Sequence, residues 1–209
     1  MGQGIFATSV TPARATGILR FDVGIAATLV AVDTSASYWR HAVPAGNDFT
    51  RNGYAAVPRL VVSKGFRAGT ISGMYAKVSD SGITTWGGAL DTPIFRGTVA
   101  TPEIALRVSY ATLTGVDVFK LKTYGAEAFI SKGFGPITPY AAIGRQKIDA
   151  RGEVVSTNPT LVAIPPLRDT GSFNRLTAGV RISLLVPKLV IEATQAEVRS
   201  YAAKISVGF

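Results

Sequence analysis

The chain has 209 residues, of which 47% are hydrophobic and 17% charged, with 22 glycines, no cysteine and a formal net charge of +9. Soluble globular proteins carry about a quarter charged residues, so the apolar side chains here fill an unusually large core or face something other than water. A membrane helix, which requires roughly 18–20 consecutive apolar residues, is excluded, as are disulfides, thiolate metal sites and cysteine nucleophiles; the dispersed basic residues match no nucleic-acid-binding module.

One domain spanning residues 1–209 is expected, with residues 1–17 forming an irregular N-terminal segment of no clear period. Met1-Gly2-Gln3-Gly4 has no basic start followed by an apolar run, so a signal peptide, if the chain is exported, is expected to have been removed. The first periodic run places Phe21, Val23, Ile25, Ala27 and Leu29 on one face, against Asp22, Gly24, Ala26 and Thr28. Less regular strands are predicted over 55–63, 69–78 and 83–90. A clean alternation follows, with Ile104, Leu106, Val108 and Tyr110 set against Glu103, Ala105, Arg107 and Ser109. Strands over 118–130 and 137–147 come next. Then Leu176, Ala178, Val180, Ile182 and Leu184 oppose Arg175, Thr177, Gly179, Arg181 and Ser183. A period of two puts all the apolar residues on one strand face, which a helix would not do. After a strand over 188–196, the last run sets Tyr201, Ala203, Ile205, Val207 and Phe209 against Ser200, Ala202, Lys204, Ser206 and Gly208.

Turns are predicted at Lys64-Gly65, 79–82, Thr114-Gly115, Lys132-Gly133 and Pro187-Lys188, where residues tolerate positive φ or end a strand. The result is an all-β antiparallel meander of about ten strands, with eight to twelve admissible. In that scheme the two longest connections, about 34–54 and 148–173, fall on the same side, opposite the termini. The connection over 91–102 is too long for a tight turn and leaves room for a further strand pair.

The final strand, with apolar residues at every second position and a terminal Phe209, resembles the insertion signal of bacterial outer-membrane β-barrel proteins. The run Pro136-Ile137-Thr138-Pro139-Tyr140-Ala141-Ala142-Ile143-Gly144 resembles strand openings in small barrels of that group. The resemblance implies a transmembrane up-and-down β-barrel in the bacterial outer membrane, with periplasmic termini. It also implies contact with lipopolysaccharide and phospholipid, and recognition of the last strand by the barrel-assembly machinery. Apolar faces would then point to lipid and polar faces to the lumen. Tyr201 and Phe209, with Tyr110, Tyr124 and Tyr140, are candidates for aromatic girdles at the two interfaces. A soluble β-sandwich also alternates apolar and polar faces and remains the alternative fold.

On the polar parity, Arg107, Arg145, Arg175, Arg181 and Lys204 are candidate lumen residues, with Glu103, Glu127 and Glu192 as partners. They form either a network that fills the lumen or the lining of a passive channel for small anionic or amphiphilic solutes. Tyr38, Trp39 and His41 are candidates for partner or ligand contact on an outer loop, the second function considered. A membrane-embedded hydrolase is the third, but the single His41, even with Ser35, Ser37 and Asp48 nearby, shows no triad spacing. A non-enzymatic protein with no cofactor and no metal is expected. Lys120 and Lys122 share parity with Tyr124 and should face lipid near an interface. The Gly87-Gly88 and Gly133–Gly135 clusters precede no helix and are read as turn and packing glycines.

Overall fold

A computed structural model describes residue 6 and residues 8–12, 20–31, 53–77, 82–116, 119–152 and 167–208. The period-two runs become ten strands: β1 Phe21–Ala31, β2 Tyr54–Phe66, β3 Gly69–Lys77, β4 Thr84–Phe95, β5 Glu103–Thr114, β6 Phe119–Ser131, β7 Ile137–Gly152, β8 Leu167–Ser183, β9 Pro187–Gln195 and β10 Arg199–Gly208. Each pairs antiparallel with the next, and β1 pairs with β10, with Ala27 opposite Ala203, to close the barrel. Closure leaves no strand edge with unpaired backbone groups, the condition for a sheet to sit in hydrocarbon.

The side chains divide as a membrane barrel requires and a soluble sandwich does not. Ile25, Leu60, Leu106, Val108, Ile143, Leu176, Ile191 and Ile205 are all exposed on the outer wall. Arg59, Asp91, Arg107, Glu127, Arg175, Glu192 and Lys204 are buried inside it. Two aromatic bands flank the aliphatic belt. At the terminal end stand Phe21, Phe66, Phe95 and Phe134; at the loop end stand Tyr54, Tyr75, Trp86, Tyr124 and Tyr201. In the upper band Tyr110 bridges Trp86 and Tyr124, at ring separations of 6.2 and 5.2 Å, and Tyr54 meets Tyr201 at 6.4 Å. Rings with one polar edge settle at such interfaces. The final run keeps Tyr201, Ala203, Ile205 and Val207 on the outer face; Phe209 lies outside the described residues.

Several boundaries differ from those the alternation suggests. Lys64 and Gly65 lie inside β2, and the turn is made by Arg67 and Ala68. β4 continues past residue 90 to Phe95 with an irregularity between Pro93 and Phe95, so the following connection is only 96–102 and holds no strand pair. β7 and β8 run far beyond residues 147 and 175, and Lys147 to Gly152 pair with Ser172 to Leu167. There the alternation ends because the hairpin leaves the apolar belt, not because the strands stop. The outward face there carries Lys147, Asp149 and Arg151, while Ile148 and Ala150 take the inward parity of Gln146, so backbone pairing persists without an apolar face turned to lipid.

The closed lumen as candidate functional site

The interior is built from inward side chains of the strands together with a piece of the N-terminal segment. Phe6 is 1% exposed and Val10 0%, and Thr8, Ser9 and Pro12 are buried with them. Three arginines from different strands hold this piece. Arg59 of β2 donates through Nη1 to the Phe6 carbonyl at 2.9 Å and through Nη2 to Thr28 Oγ1 at 2.6 Å. Arg107 of β5 donates through Nη2 to the Thr11 carbonyl at 3.0 Å. The Arg175 guanidinium of β8 stacks over the Phe6 ring at 4.1 Å. Opposite the ring, Gly125 of β6 leaves the space it needs, since a β-carbon there would stand 2.4 Å from Phe6 Cζ.

Arg107 and Arg175 are themselves paired with carboxylates. Arg107 binds Asp91 through two nitrogens, Nε to Oδ1 at 2.6 Å and Nη2 to Oδ2 at 2.9 Å, and lies over the Phe129 ring at 4.4 Å. A planar fork on a carboxylate is the strongest ion pair available to an arginine. Arg175 Nε donates to Glu127 Oε1 and Nη1 to Gln146 Oε1, each at 3.2 Å. Nearer the terminal end, Asp22 accepts from Lys188 at 3.0 Å, Lys204 at 3.5 Å and Ser206 at 3.2 Å.

Two side-chain contacts in the lumen cross a whole strand, and glycine makes that possible. Glu127 on β6, Gly144 on β7 and Arg175 on β8 lie in one lateral row. A β-carbon on Gly144 would stand 2.5 Å from Glu127 Cγ, so only a bare backbone lets the glutamate reach over it. The same holds for Tyr140, Gly179 and Glu192 on β7, β8 and β9. The Tyr140 ring lies on Gly179, and its hydroxyl donates to Glu192 Oε2 at 2.8 Å. These glycines serve side-chain reach rather than turn geometry.

Of the residues singled out from sequence, Arg107, Arg175, Arg181, Lys204, Glu127 and Glu192 face the lumen. Arg181 Nη2 donates to Thr138 Oγ1 at 3.1 Å. Glu103 is half-buried and lines a cavity of about 800 Å³ at the terminal end, which reaches in as far as Thr11 and Pro12. Arg145 is a correction: it points outward, sharing parity with Ile143, while Gln146 takes the inward place. Tyr140 is another, because its parity puts it inside and not in a girdle. Tyr38, Trp39 and His41 lie outside the described residues. Sequence reasoning missed Arg59, Asp91, Asp22, Lys188 and the whole N-terminal piece. Parity with Ala89 would have found Asp91 had β4 been carried past residue 90; Phe6–Pro12 offers no periodic signal at all.

No family model matches the chain, and no curated protein matches it. Among solved structures it is similar to Neisserial surface protein A, at 14% identity over 90% of this chain and 97% of that one, with a TM-score of 0.40. The N-terminal β-barrel domain of Pseudomonas aeruginosa OprF is 12% identical over 93% and 98%, with a TM-score of 0.41. Ail, the attachment invasion locus protein of Yersinia pestis, is 10% identical over 90% and 94%, with a TM-score of 0.32. All three are bacterial proteins; the closed antiparallel barrel described above, apolar on its outer wall and charged within, has of itself the architecture of a transmembrane β-barrel.

Proposed function

We propose that this outer-membrane barrel is a structural protein of the membrane that stands closed, rather than an open passage for solutes. The observation that carries the reading is Phe6 together with Thr8–Pro12 in the middle of the lumen. A passive channel needs a continuous file of water. Here an apolar ring and its backbone are buried within the lumen, and Arg59 Nη1 and Arg107 Nη2, donors an anion would seek, are committed to the Phe6 and Thr11 carbonyls. The buried charges nearly balance: Arg59, Arg107, Arg175 and Lys204 face Asp91, Glu127 and Glu192. The excess positive charge of the chain therefore contributes little to the interior, and an anion gains little by entering.

Planar-bilayer conductance tests this. The full chain is expected to give no steady current at high salt, and a variant lacking residues 1–12 is expected to open a pathway. A steady, anion-selective current from the full chain would establish the passive-channel reading instead.

A further inference from the structure

The basic side chains that do not enter the lumen are unevenly spread. On the outer wall at the loop end, β6 presents Lys120 and Lys122, β7 presents Arg145, Lys147 and Arg151, and β8 presents Arg168. They adjoin one another: Lys120 lies opposite Arg151, Arg151 opposite Arg168, and Tyr124 of the upper aromatic band opposite Lys147. One carboxylate, Asp149, sits among them, 3.5 Å from Arg151 and 3.4 Å from Arg168. Among the described residues, Lys120, Lys122, Arg145 and Lys147 have no carboxylate within ion-pair distance. Elsewhere on the outer wall at this end, cations such as Lys77 and Arg199 stand singly.

The patch has a defined height. Lys147 is level with the aromatic band, Arg145 lies one outward position deeper, and the remaining cations stand above it. Directly beneath Arg145 the outer wall holds a shallow groove of about 800 Å³, walled by Leu106, Ala126, Ala128, Ile143 and Leu176. It exists because β6 carries only alanines here, between the larger side chains of β5 and β7. Cations clustered at headgroup depth over an apolar trough match a lipid with phosphate above and acyl chains below.

We propose that the outer face of β6–β8 binds a phosphorylated, multiply acylated lipid of the loop-side leaflet. In an outer membrane this is the lipid A part of lipopolysaccharide. Its phosphate sits on Arg145, Lys147 and Lys122, and one acyl chain lies in the groove over Ala126 and Ala128. The inference rests on the outer-membrane reading.

The test is native mass spectrometry of the full chain in neutral detergent, titrated with bis-phosphorylated lipid A. The double variant Arg145→Ala/Lys147→Ala is expected to bind about thirtyfold more weakly, the loss of two near-surface cations. The control Lys77→Ala/Arg199→Ala is expected to bind as the unmodified chain does. Ala128→Trp, which fills the groove at the level of Leu106 and Ile143 rather than of Arg145, is also expected to weaken binding. Equal binding by the double variant overturns the proposal. So does displacement of the lipid by inorganic phosphate, which would mark a simple anion site, or equal affinity for phosphatidylglycerol. A chain that stays folded without detergent or lipid sinks the membrane reading first, whereas one that inserts but shows no dependence on Arg145 and Lys147 sinks this proposal alone.

Discussion

Arg107 on β5 and Arg145 on β7 are the same side chain in opposite surroundings. Arg107 is 1% exposed, forked onto Asp91 and bonded to the Thr11 carbonyl. Arg145 looks out from the barrel wall, level with Ala126 and just beneath the aromatic band. Arg107 inside the lumen is tolerated because the Asp91 carboxylate neutralises it and its Nε and Nη2 are hydrogen-bonded. An arginine outside is tolerated because its stem lies along apolar surface while its head reaches the headgroup layer. Strand parity and height fix the place of a cation here; its chemical type does not.

The contrast can be broken most severely from within. Arg107→Ala leaves Asp91 buried without its partner and is expected to cost about 3–5 kcal/mol, read as a lowered denaturant midpoint of the folded form on a heat-modifiability gel. A smaller loss is expected for Gly179→Ala, whose new methyl meets the Tyr140 ring and obstructs its bond to Glu192; overpacking of this kind costs about 1–3 kcal/mol. Tyr140→Phe removes the bond without the clash, so a milder loss there separates the two contributions. Arg145→Ala should change stability by no more than about 0.5 kcal/mol, because it removes a surface cation with no described carboxylate partner. A large loss on that last substitution would erase the distinction between the two arginines.

The architecture was legible wherever lipid imposed an alternation. Ile104 to Tyr110, Leu176 to Leu184 and Tyr201 to Val207 announce their faces because water and hydrocarbon lie on opposite sides of the strand. Legibility faded above the aromatic band, where Lys147 to Gly152 keep their backbone pairing but turn Lys147, Asp149 and Arg151 outward in place of an apolar face. Arg145 and Tyr140 were misplaced by trusting residue type over parity: the arginine was set inside because it is charged, and the tyrosine outside because it is aromatic. Counting from Ile137 puts both correctly. Phe6–Pro12 was illegible for a different reason. A short irregular segment enters the lumen through individual contacts with Arg59, Arg107 and Arg175, which are contributed by strands far away in sequence, and no local pattern records them.

The chain contains no cysteine, so a single thiol placed at Ser9, 0% exposed in the lumen, reports directly on whether the N-terminal piece stays inside. Ser9→Cys in lipid vesicles should react with a membrane-impermeant maleimide orders of magnitude more slowly than a thiol placed at Val99, which is fully exposed on a terminal-end turn. Labelling of Ser9→Cys at the rate of the Val99→Cys control would show the segment outside and the lumen open, contradicting the closed barrel.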